Sequence, residues 1–257
     1  MLRSRDKALI TLPVFRSKIA LLSTLVFVST LFSAEAKTKK HHHSSSHHGR
    51  HGRRVRHSSS FRITSGSSYR VETRITPRPF TTVVIDAGHG GQDFGGIPSN
   101  LIPEKGVALD VALRLRNRLG GYGIRTVMTR YNDTFIPLPE RVAISNSQPS
   151  AIFVSIHFNA GARREAHGFE TYFCSPESMP LAEHVQSHLM ETVPTENRGV
   201  KQAFYYVLRR ANTVAVLAEC GFLTNPGEAN LARSAWYRQK LADEIGAAIA
   251  EYKRGLD

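Results

Sequence analysis

From Phe80 onward, short runs of almost unbroken apolar residues alternate with stretches patterned at helical spacing, and this alternation constrains the fold more than any other feature of the chain. Residues 82–86, 124–130, 151–157, 168–173 and 213–219 read as strands. Residues 104–119, 139–147, 180–192 and 229–253 read as helices. A strand that is apolar at consecutive positions has no polar face to give to water, so helices must cover it on both sides. The expected architecture is therefore α/β: a single three-layer domain with a mostly parallel twisted sheet of about six strands and helices on both faces. The closing helix carries Leu241, Ile245, Ala248, Ile249 and Tyr252 on one side and is expected to pack across one face of the sheet.

Three polar residues stand where apolar strands run out: His89, His157 and Glu219. In open α/β sheets the ligand crevice lies outside the carboxyl ends of the strands, so such side chains converge although far apart in sequence. Glu104 opens the first helix on the same stripe as Val107, Ala108, Val111 and Leu115, where a carboxylate is costly unless something compensates it. Each has an ordinary role open to it: a hydrogen-bonded loop or core histidine, a first-turn acid, a solvated strand end. Together they form a set. Two histidines and a carboxylate suit a hydrolytic zinc site with one position open for water, and a second carboxylate can act as base. The glycine loop from Asp86 to Gly96 is not a phosphate loop, because Asp93 stands where the last glycine of G-x-G-x-x-G belongs and no Gly-Lys-Ser/Thr follows. Its glycines instead let the backbone turn sharply enough to aim His89 over the sheet edge.

Charge divides the chain unevenly. Residues 1–36 carry five Lys/Arg and two acids, residues 37–79 eleven and one, and residues 80–257 eighteen of each. The net +13 thus lies outside the expected fold, and a neutral domain offers no basic face for nucleic acid. Arg3, Arg5, Lys7, Arg16 and Lys18 precede the 14-residue apolar run Ile19 to Phe32, and Ala34-Glu35-Ala36 follows. That run is shorter than the roughly 20 residues a spanning helix needs, so residues 1–36 are expected to be a cleaved signal peptide. Residues 37–79, rich in His, Ser and Arg, cannot offset their ordering entropy and are expected to form a disordered basic linker. Its seven histidines from His41 to His57 suit weak metal binding, and its charge suits an anionic envelope surface.

Seven ordered segments carry a family resemblance: Val84-Ile85-Asp86-Ala87-Gly88-His89-Gly90-Gly91 with Asp93 and Gly95; Glu104-Lys105; Ser155-Ile156-His157-Phe158-Asn159-Ala160; Gly168-Phe169-Glu170; Arg198-Gly199-Val200-Lys201; Val207-Leu208-Arg209; and Glu219-Cys220-Gly221-Phe222-Leu223-Thr224-Asn225. From about Thr81 to Lys253 the chain resembles the zinc-dependent N-acetylmuramoyl-L-alanine amidases of the type 3 family. The resemblance implies that residues 80–257 are a catalytic domain of a secreted enzyme of the periplasm or cell envelope. Such an enzyme hydrolyses the amide between the lactyl group of N-acetylmuramic acid and L-alanine of peptidoglycan stem peptides, in wall remodelling or cell separation. It implies Zn²⁺ held by His89, Glu104 and His157, with Glu219 as general base. Asn159 and Arg198 are candidates for contact with substrate or a developing oxyanion, and Asp86 for orienting His89; ordinary loop hydrogen bonding is the alternative for all three. No wall-binding repeat is recognisable, which leaves the basic linker as the candidate for targeting. Peptidoglycan is the expected partner of a monomer.

Two other readings stay open: a zinc exopeptidase or carboxypeptidase acting on the stem, and a non-catalytic wall-binding module, which would not require Glu219. His184 and His188 have the i, i+4 spacing of a metalloprotease motif, but Val185 stands where its glutamate belongs, so a helix-border role is expected. Cys174 and Cys220 are expected to be free thiols. Regulated members of the family, as the resemblance implies, carry an extra helix over the zinc before the Arg-Gly-Val segment. Only 23 residues separate Cys174 from Arg198, room for one crossover helix and its connections, so no activator protein is expected.

Overall fold

Six strands form one sheet: β1 (Thr82–Ala87), β2 (Arg125–Met128), β3 (Ala151–Asn159), β4 (Phe169–Phe173), β5 (Asn197–Gln202) and β6 (Ala215–Phe222), in the order β2-β1-β3-β6-β4-β5. Every neighbouring pair is parallel except β4 with β6, so the mostly parallel expectation holds. The computed structural model describes residues 79–96 and 103–256. The expected signal peptide over 1–36 and, Pro79 apart, the expected linker over 37–79 lie outside the described residues.

The apolar pattern of each strand explains its layers. On one face Val83, Ile85, Ile152, Val154, Ile156, Val216 and Ala218 meet α1 (Glu104–Gly121), α3 (Met179–Leu189) and α6 (Ala235–Arg254) in one core. On the other, Val84, Phe153, Ala215 and Leu217 meet α2 (Leu138–Asn146) and α4 (Tyr206–Arg210) in a smaller one. Helices on both faces were expected, and α6 packs between α1 and α3 with Leu241, Ile245, Ile249 and Tyr252 inward.

Where the sequence reading and the structure differ, the cause is local. The closing helix is broken: α5 (Pro226–Arg233) ends at Ser234, whose extended backbone (φ −74°, ψ 126°) restarts the chain as α6. β5 has no apolar run to betray it, being Asn-Arg-Gly-Val-Lys-Gln at the sheet edge, held by main-chain pairing to β4. Five-residue α4 is too short for a periodic signal. His188 bridges α3 to Glu244 and Glu251 of α6, and both cysteines are free, as expected. Cys220 lies within β6.

Candidate active site

Period-two alternation puts the polar ends of the strands on one face. Along β3 the residues on the α2/α4 side run Phe153, Ser155, His157; along β6 they run Leu217, Glu219; on β4 Glu170 shares the side of Tyr172. Pairing then aligns them. His157 lies opposite Glu219 across the parallel β3–β6 ladder, and Glu170 opposite Glu219 across the antiparallel β4–β6 ladder. Three titratable residues from distant segments therefore stand in one row.

His89 and Glu104 join from outside the sheet. His89 occupies the left-handed region (φ 60°), uncommon for a side chain other than glycine, and the turn continues through Gly90 and Gly91. Glu104 is buried at the first turn of α1. Its Oε1 lies 3.0 Å from His89 Nε2 and 2.9 Å from His157 Nδ1, and accepts the Phe158 amide at 3.0 Å; its Oε2 accepts the Gly96 amide at 2.8 Å. Burial opposes ionisation of this carboxyl, but hydrogen bonds from His157 and His89 outweigh it and hold the group well below the usual range. His89 Nδ1 lies 2.9 Å from Asp93 Oδ2, outside hydrogen-bond alignment.

This donor set fits a divalent cation. One ligand atom from each of His89, Glu104 and His157 lies within 4.8 Å of the others. Two glycines keep the space clear: a Cβ at Gly88 would come 2.3 Å from His157 Cε1, and one at Gly95 would come 2.6 Å from both Glu104 Oε2 and His89 Cδ2. Two imidazoles and a carboxylate are a donor set that could hold a metal ion and leave one position open.

Glu219 is different in kind. Among the described residues its Oε2 is a buried oxygen with no hydrogen-bond partner, an exception among buried polar groups. Burial, then the charges of Glu104 and Glu170, push its carboxyl well above the ordinary range. Glu170, assigned no role from sequence, proves to be a hub. It is 3% exposed and accepts from Asn159, from Tyr172 Oη at 2.7 Å, from Arg198 Nε at 3.0 Å and from Lys201. Asn159 and Arg198 are thus tied to Glu170, and only Asn159 lines the cavity over the site. Asp86 bonds Thr129, Ser155 and Arg141 at 2.7 Å each, so its link to His89 runs through Arg141, which donates to the His89 carbonyl at 2.6 Å. That cavity, about 620 Å³, has His89, Glu104, His157 and Glu219 in its wall and an apolar flank of Phe135, Ile136, Leu138 and Tyr205.

Known proteins resemble the chain in sequence and in fold. LytC, an N-acetylmuramoyl-L-alanine amidase of Bacillus subtilis, is 39% identical over 177 residues; the match covers 67% of this chain and 36% of LytC. The crystal structure of an N-acetylmuramoyl-L-alanine amidase from Clostridium difficile 630 superposes with a TM-score of 0.67 at 34% identity, over 70% of this chain and all of that one. CwlD of Clostridioides difficile, solved in complex with the GerS lipoprotein, gives 0.65 at 30% identity, over 69% and 100%. With the family model matching residues 83–251, on these strands and around this site, the chain belongs to the N-acetylmuramoyl-L-alanine amidase family.

Proposed function

We propose that this protein is a secreted, zinc-dependent N-acetylmuramoyl-L-alanine amidase that cuts the lactyl–L-alanine amide of peptidoglycan, with His89, Glu104 and His157 as metal ligands and Glu219 as general base. One observation carries the assignment: three ligand atoms converge within 4.8 Å beside a buried carboxylate whose Oε2 has no partner among the described residues. Zinc bound there supplies a Lewis acid that polarises the scissile carbonyl and lowers the pKa of a water. Glu219 takes a proton from the attacking water and delivers it to the leaving nitrogen, so that water is consumed and an acid and an amine are released. Asn159, in the cavity wall, and the Glu170-anchored Arg198 serve substrate binding. Residues 1–36 direct export, and the basic linker holds the enzyme at an anionic envelope.

The site works without an activator. Between β4 and β5 the described residues hold a 3-10 turn (Pro176–Ser178) and α3, whose Leu181, Ala182, Val185 and Leu189 are in the core of the face opposite the site. Leu138 and Arg141 of α2 and Tyr206 and Val207 of α4 line the cavity, and among the described residues α3 adds nothing to its wall. Purified full-length protein loaded with zinc is expected to release whole stem peptides from sacculi, by mass, and to stop when a chelator is added. Loss of terminal D-alanine alone would point to the carboxypeptidase, and binding without cleavage to a wall-binding module. Inactivity at full zinc content until a partner is added would overturn the open-site reading.

A further inference from the structure

We infer that Arg130 and Arg141 are a positioning pair that holds the His89 loop in its metal-receiving shape before any metal arrives. The metal reading above supplies the purpose of this pair, while its geometry stands independently. Both side chains are almost fully buried, at 3% and 2% exposed, and neither was singled out in the sequence. Arg130 donates to the carbonyls of Ala87 (2.9 Å), Gly88 (2.6 Å), Lys105 (2.8 Å) and Asn132 (3.0 Å). Arg141 donates to those of Ala87 (2.7 Å), His89 (2.6 Å) and Ile136 (2.8 Å), and to Asp86 Oδ1 (2.7 Å).

Three consecutive carbonyls, of residues 87, 88 and 89, therefore point at two guanidiniums. An extended strand turns successive carbonyls to opposite sides, so this convergence belongs to the sharp turn that ends β1. That turn is the one that puts His89 at φ 60°, a conformation that persists only where the surroundings over-determine it. Arg130 also reaches Lys105, the residue after the ligand Glu104, so a single side chain ties the His89 loop to the start of α1.

The choice of arginine is informative because it is electrostatically adverse. Two buried cations beside a site for a third are costly, and among the described residues Asp86 is the one carboxylate that either guanidinium bonds. Burial and the neighbouring Arg141 charge pull Arg130 below its ordinary proton affinity. What arginine offers in exchange is a planar fork of five donors that can meet several carbonyls at fixed angles; lysine concentrates its donors at one point and would leave carbonyls unpaired. The pair reads as a device for shape, not for charge balance.

Hydrogen exchange on the full chain tests this without reference to turnover. The Gly88 amide donates to the Ile156 carbonyl and the Gly90 amide to that of Asp93, so both report on the loop. In metal-free wild type their exchange is expected within about tenfold of the zinc-loaded rate. In metal-free Arg141→Lys both are expected to exchange at least about tenfold faster while core amides of β3 keep their rates, and zinc affinity by chelator competition is expected to fall about 10–100-fold. Arg130→Lys gives the second readout should Arg141→Lys not fold. Loop amides protected in wild type only after zinc is added would overturn the inference, as would a folded Lys variant with unchanged exchange. Protected amides in a wild type that binds no zinc would instead sink the metal reading and leave the clamp standing.

Discussion

The two faces of the sheet are covered to different depths, and the difference makes the site. On one face α1 has 18 residues and α6 has 20, lengths of about 27–30 Å at 1.5 Å per residue. Nine-residue β3 spans about 30 Å, so these helices match it end to end. On the other face α2 has nine residues, about 14 Å, and α4 only five. They cover Val84, Phe153, Ala215 and Leu217; Arg141 of α2 reaches Asp86, while His157, Glu219 and Glu170 lie outside this apolar cluster. The strands respond to their covering. On β1, β3 and β6 the positions facing the long helices are apolar, whereas the other side turns polar where the short ones end. One face is therefore expected to carry stability and the other chemistry.

The largest effects should come from the open face. His157→Ala removes a donor from the three-residue cluster, so bound zinc and activity are expected to disappear together, with elemental analysis as the check. A variant that retains one zinc per chain would break the assignment. Next in size, Glu219→Gln should keep its zinc and lose about 10²–10⁴-fold in turnover, the share that proton transfer supplies. Near-normal rates on sacculi would mean that the base lies elsewhere.

On the covered face the order reverses. Leu115 of α1 is fully buried, and Leu115→Ala is expected to cost about 2–5 kcal/mol in denaturant unfolding while turnover, measured well below the melting temperature, stays near wild type. Loss of activity out of proportion to the folded fraction would show that the faces are coupled through the sheet.

How much of this was legible before the structure follows from what kind of contact each residue makes. β1, β3, β6, α1 and the four polar residues of the site were legible because each ends or opens a segment with a strong apolar pattern. β5 was not, since an edge strand made by main-chain bonds to β4 leaves no mark on its side chains. Glu170, Arg130 and Arg141 were equally silent. Most of their partners lie 11 to 55 residues away, and a buried polar hub has no periodicity. Asp86 was singled out for the site, yet its oxygens are taken by Thr129, Ser155 and Arg141.

The smallest effect tests the seam where β6 leaves the site. Asn225 caps α5: its Oδ1 accepts the amides of Gly227 at 2.9 Å and Glu228 at 3.2 Å, satisfying two of the donors that a helix start leaves open. The capped helix delivers Glu228, whose carboxylate accepts the Phe222 amide at 2.6 Å and the Gly168 amide at 2.8 Å, joining the end of β6 to the start of β4 just beyond the Glu219–Glu170 row. Asn225→Ala should cost about 1 kcal/mol, near 2–4 °C in melting temperature for a domain of this size. If the seam is framework only, zinc affinity and turnover of the folded protein stay unchanged. A drop in turnover larger than the drop in stability would place the strand ends under the control of α5, and the division between a stabilising face and a reacting face would have to be redrawn there.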